Sequence, residues 1–114
     1  MESILTSIKK MLGITEDYEC FDMDIIIHIN SAFAALTQIG VGPSDGFSIN
    51  DESAIWDDYS RERIVDLVKP YVYMKVRLAF DPPSSSIVLE AIERSIKEYE
   101  FRIQVAIEGK TGEQ

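Results

Sequence analysis

Residues 67–86 read LVKPYVYMKVRLAFDPPSSS. Up to Phe80 the apolar residues recur three and four apart, the spacing of one helix face. Asp81-Pro82-Pro83 then stops the helix: proline lacks a backbone donor and pushes the residue before it out of helical geometry. Three serines follow, and serine is a good helix N-cap. The stretch predicts the end of a long apolar helix, a stiff turn and the start of another helix. Pro70 lies inside the first of them, which is expected over about 60–80, kinked or broken at that residue.

The remaining apolar segments can be read around this pair. Ile4, Leu5, Ile8, Met11 and Leu12 give one face of a short helix at about 3–12, with Ser3 as its cap and Gly13 as its stop. Ile25, Ile26, Ile29, Ala32, Phe33, Leu36 and Ile39 mark a second helix at about 23–39, with Asp22 as the expected N-cap. Ile27 widens that face, so burial on more than one side is expected. Gly40-Val-Gly-Pro ends the helix. The segment 40–59 has weak strand character on each side of Asn50-Asp51, and reads either as a long loop or as a short β-hairpin. After the serines, Leu89, Ile92, Ile96, Tyr99, Ile103 and Ala106 form a heptad-like seam on a helix at about 84–107. Glu93 with Lys97, and Glu98 with Arg102, have the four-residue spacing that favours ion pairs. The expected fold is all-α: a small antiparallel bundle of four main helices in a single domain, 1–107, with a flexible polar tail at 108–114.

The charge excludes some functions. Twenty acids face 11 bases, a net charge of −9. Phosphate backbones are bound by neutralising lysines and arginines, so specific nucleic-acid binding is not expected. The acids gather in two patches, at 16–24 and at 45–66. Cys20 is the lone cysteine, so no internal disulfide can form. The opening MESILTSIKKMLG does not read as a secretory signal, and no apolar run has the length of a membrane span.

No catalytic constellation stands out. His28, the single histidine, lies among isoleucines and reads as a partly buried, hydrogen-bonded structural residue. Cys20 has no basic neighbour to activate it. Asp22, Asp24, Asp57 and Asp58 lack the ligand spacing of a calcium loop and read as capping or solvated residues. Gly40-Val-Gly42 and Gly109-Lys-Thr-Gly112 lack the strand–helix setting of a phosphate loop. Trp56 and Tyr59 sit in the most acidic region, so packing is expected rather than base stacking. Catalytic, cofactor-binding and metal-ligating residues are therefore all expected to be absent.

Several segments in order carry a resemblance: ILTSIKKMLGI, FDMDIIIHINSAFAALTQIGVGP, GFSINDESAIWDDY and VKPYVYMKVRLAFDPPSS, followed by a charged last helix. Over about Ile4 to Ile103 the chain resembles the head–tail connector, or head-completion adaptor, family of tailed bacteriophages and prophages. Pro70 departs from the straight helix such proteins would show. The resemblance implies a structural subunit without enzymatic activity or cofactor. It would form a homo-oligomeric ring, commonly a dodecamer, between a portal protein and a tail-completion protein. DNA would pass through its channel without specific binding. The expected location is the host cytoplasm during assembly and then the head–tail junction of the virion. Read without the resemblance, the chain fits a small helical protein–protein interaction or regulatory module without catalysis, using the seam of its last helix.

Overall fold

Five helices make up the regular structure of residues 2–112, the part of the chain that the computed structural model describes. They are α1 (Ile4–Met11), α2 (Asp22–Gln38), α3 (Trp56–Tyr59), α4 (Val65–Phe80) and α5 (Ser86–Gly112). The all-α expectation is met. α4 is the central element. It packs against α2 on one side and α5 on another, while α1 lies on α2 and α4.

The caps follow local chemistry. The Ser3 hydroxyl accepts from the Thr6 N–H at 3.2 Å and starts α1. α2 ends in a Schellman turn: the Val41 N–H reaches the Leu36 carbonyl and the Gly40 N–H reaches that of Thr37. Gly40 takes the positive φ, +86°, that this turn demands. α1 ends in the same way over Leu12-Gly13-Ile14. Ser85 caps α5, its hydroxyl accepting from the Val88 N–H.

α4 runs unbroken through Pro70. The proline leaves the Asp66 carbonyl without its helical donor. Asp66 is an exposed residue of the first turn, where water can take the donor's place. Beyond the Asp81-Pro82-Pro83 stop, α5 returns antiparallel to α4. The fully buried Tyr71 donates from its hydroxyl to Glu100 Oε2 at 2.9 Å across the pair. Ile96 and Ile103 are buried on this seam, with Ile92, Tyr99 and Ile107 half-buried beside them. The heptad-like pattern is thus used within the chain. α5 extends past the expected end at 107 to Gly112, and residues 113 and 114 of the expected tail lie outside the described residues. Of the two pairs expected along α5, Glu98–Arg102 forms at 3.2 Å, while Glu93 and Lys97 stay beyond ion-pair distance.

Two details of α2 differ from expectation. Ile27 is 59% exposed, so α2 buries one side only. Asp22 is the first helical residue rather than the cap, and its carboxylate is engaged elsewhere, as described below.

Segment 40–59 forms a loop that ends in α3, not a hairpin. The strand-like backbone of Ile55 pairs with Ser3, in an isolated antiparallel bridge, instead of pairing within the segment. The loop is nevertheless well tied down. Asn30 on α2 works as a surrogate strand: its Oδ1 accepts from the Ile49 N–H at 2.7 Å and its Nδ2 donates to the Ile49 carbonyl at 3.0 Å. Asp58 Oδ2 accepts from the Ile55 N–H at 2.9 Å and closes the start of α3. Trp56 Nε1 donates to the Ser7 hydroxyl at 2.9 Å, and that hydroxyl donates onward to the Ile4 carbonyl. Phe33 is the hub of an aromatic cluster with Phe47, Trp56 and Tyr59, at centroid separations of 4.8–6.2 Å. Gly42 lies directly against the Tyr59 ring, where a Cβ would fall 2.7 Å from the ring carbon and from the hydroxyl.

Asn30→Ala is expected to lose about 1–3 kcal/mol, because both backbone groups of buried Ile49 lose their partner. Urea denaturation measures the loss, and faster amide exchange at Ile49 should accompany it. A second expectation concerns alkali. The Tyr59 hydroxyl is buried without a hydrogen-bond partner, and burial pushes its pKa up to about 12. Unfolded tyrosine ionises near about 10. Between these values the unfolded chain releases a proton that the folded chain keeps, so stability falls as pH rises through this window. Tyr71, also held neutral by burial and then by its bond to Glu100, acts in the same direction. Tyr59→Phe should therefore be no less stable than the parent at pH 7 and should show a shallower alkaline decline. A steeper decline in the variant would refute this account.

Candidate functional site

Among the described residues, side chains with catalytic potential do not converge. His28 is half-buried in a groove between α2, α4 and α5, near Lys75, Glu93, Lys97 and Glu100. No hydrogen bond joins its side chain to another described residue, so the expected side-chain hydrogen bond is not seen. Cys20 is exposed. Among the described residues no group of three histidine, cysteine, aspartate or glutamate side chains could hold a metal ion. Gly40 and Gly42 belong to the turn after α2, with Gly42 pressed on Tyr59, and do not form a phosphate cradle. Gly109 and Gly112 lie within α5. Trp56 and Tyr59 are core residues, as their acidic surroundings suggested. Among the described residues no helix is long and apolar enough to cross a membrane.

What the fold does assemble is surface. The acids of both patches are exposed, except for half-buried Asp22. The patches, distant in sequence, meet at a small cleft of about 210 Å³, where Glu16, Glu19 and Asp22 face Glu52. Lys9 lies in the middle. Its side chain is only 3% exposed, and its ammonium sits 2.8 Å from Asp22 Oδ1 and donates to the Glu16 carbonyl at 2.9 Å. α1 thus delivers a buried cation that neutralises one acid and ties the 12–21 connector to the start of α2. Lys9 also lies in the last turn of α1, where the helix dipole favours a cation. Nothing in the local pattern signalled its partner thirteen residues on.

A second surface is apolar. α5 turns Phe101, 66% exposed, and Val105, 48% exposed, away from the core. α2 does the same with Met23 and Ile27. A third feature is a groove of about 690 Å³ bounded by the Gly40–Pro43 turn, Tyr59 to Leu67, and Ala106 and Ile107 of α5. Grooves and exposed apolar ridges suit contact with other macromolecules.

The phage connector protein family model matches residues 4–110. The chain belongs to the phage connector protein family. The match begins at the first residue of α1 and runs nearly to the end of α5, so all five helices of this connector are family structure and none is an appendage. No curated protein and no solved structure matches the chain. The family is a structural one, a phage component that works alongside other head and tail proteins, which agrees with the surfaces just described.

The Lys9–Asp22 pair gives an asymmetric expectation. Asp22→Asn leaves a buried cation unpaired and should destabilise by about 3–5 kcal/mol. Lys9→Met removes the cation and its bond to the Glu16 carbonyl and leaves Asp22 Oδ1 buried, but the Asp22 side chain as a whole is 22% exposed and stays favourable at a helix N-terminus, so the loss should be smaller, about 1–3 kcal/mol. Denaturant melts of the two variants check the order; equal losses would show that Lys9 is not effectively buried.

Proposed function

We propose that this connector is a subunit of a ring that sits beneath the portal of a phage or prophage capsid, extends the DNA channel and docks the next tail component. The family match over residues 4–110 carries the reading. The surfaces support it. A ring subunit needs unlike faces that meet side to side, and this one exposes apolar ridges on α2 and α5 together with a groove. The subunit has no enzymatic role; it binds, and shapes a passage by geometry. Its partners are its own copies, a portal protein and a tail-completion protein. It is located in the host cytoplasm during assembly and at the head–tail junction of the finished virion.

The acids give the channel its character. Exposed carboxylates repel a phosphate backbone, and with a net charge of −9 the chain has no general attraction to DNA. The cleft where Glu16, Glu19 and Glu52 gather is assigned to the channel side, where negative charge lets DNA slide without sticking.

Immobilised portal protein should capture this connector, and electron microscopy of the captured complex should show added ring density with the Glu16–Glu52 cleft toward the lumen. Failure of the portal to capture the full chain would remove the connector role. A ring with this cleft on its outer rim would leave the ring and remove the acidic channel.

A further inference from the structure

The C-terminal half of α5 carries two features on opposite sides. Successive residues turn about 100° around a helix. On that basis Ala106 and Ile107, which wall the 690 Å³ groove, point roughly opposite to Phe101 and Val105. The two features also lie within about one helical turn of each other in height. One side is a hole and the other an apolar knob, at one level of the molecule. We propose that the groove receives Phe101 and Val105 of a second copy of this chain, so that neighbouring subunits join head to tail through α5. The inference rests on the connector reading and goes beyond it by assigning the side-to-side interface.

Three observations favour a second copy as the occupant. The first is shape. An exposed aromatic residue is a large apolar group to leave in water, and the groove offers apolar walls from Leu67, Ala106 and Ile107. The second is charge. Arg63 stands on the rim of the groove beside Glu62, exposed and in no ion pair with a described residue. Glu108 stands on the knob side, one turn beyond Val105, and is likewise exposed and in no such pair. A copy seated with its knob in the groove brings these opposite charges together. The third is symmetry. A patch that fits a pocket elsewhere on the same molecule makes a heterologous contact, which propagates and closes into a ring when the rotation allows. A patch that fits only itself stops at a two-fold dimer.

Phe101 and Ala106 are both exposed, so substitutions there leave the helical fold intact, which circular dichroism verifies. Phe101→Glu spoils the knob and keeps the groove. Ala106→Trp fills the groove and keeps the knob. In sedimentation velocity over a concentration series, wild-type chains should self-associate, and each variant alone should associate at least about tenfold more weakly. An equimolar mixture of the two variants should recover association but stop at heterodimers, since each has one usable face. Arg63→Glu should weaken association, and Arg63→Glu with Glu108→Arg should restore it. The inference is overturned if both variants associate like wild type, if their mixture stays monomeric, or if wild type does not associate. It is also overturned if Ala106→Trp abolishes portal capture while self-association is unchanged, which would make the portal the groove's occupant. Each of these outcomes leaves the connector role to be decided separately by portal capture of the wild-type chain.

Discussion

Two hydrogen bonds from one asparagine hold the longest non-helical segment of this connector in place. Apart from the single bridge between Ile55 and Ser3, segment 40–59 has no strand partner for its backbone, and unpaired buried backbone groups are costly. Asn30 supplies both a donor and an acceptor to Ile49 from the side of α2. With Ile49 fixed, Phe47 reaches Phe33, Tyr59 closes over Gly42, and Trp56 anchors on Ser7 of α1. The loop thereby becomes a wall of the core and, on its outer side, a wall of the groove beside α5. Without that anchor, the Ile55–Ser3 bridge, the Trp56–Ser7 bond and apolar contact would have to order the segment, against a backbone entropy of about 1–2 kcal/mol for each residue fixed.

Much of this was legible in the sequence, and what was not has a physical reason. The helix pair around Asp81-Pro82-Pro83 could be read because proline acts locally, on its own residue and its immediate neighbours. The ends of α1 and α2 could be read because Gly13 and Gly40 satisfy a local demand of the Schellman turn. Pro70 was harder. Its effect depends on which carbonyl it strands, and here that is the carbonyl of Asp66 at the exposed start of α4, so the helix carries on. The hairpin expectation for 40–59 failed because strand pairing is not local: the extended backbone at Ile55 found Ser3, about fifty residues away. Asn30 and Lys9 share that property. By position alone Asn30 is a polar residue in an apolar helix and Lys9 a helix-end charge, and each is defined by a partner that only the tertiary fold brings near.

The charge distribution shows how one cation can organise a strongly acidic surface. With 20 acids against 11 bases, mutual repulsion would splay the acid-rich 16–24 connector from the rest of the chain. Lys9 counters this from inside. Its ammonium is shielded from water, so its attraction to Asp22 is little weakened by salt, whereas repulsion among the exposed carboxylates is screened. The arrangement keeps the acids outside and close together without letting them unfold the α1–α2 junction. The same separation suits a surface that meets a polyanion: the repulsive charge stays mobile and hydrated, and the structural charge is out of reach.

α5 makes the final point about reading a helix of this kind. Its inward seam, from Ile92 to Ile103, follows a regular period and could be recognised as a packing stripe. Phe101 and Val105 do not belong to that stripe, and a pattern search that rewards one continuous face passes over them. In the folded chain they are conspicuous because the core face is already satisfied by α4 and Tyr71. A helix that needed only to complete a monomer would gain solubility from polar residues at both positions. α5 carries instead a ridge on one side and a hollow on the other. In the proposed interface these meet between copies, since opposite sides of one helix cannot meet within a single chain, and on that proposal the outer residues of α5 serve the assembly.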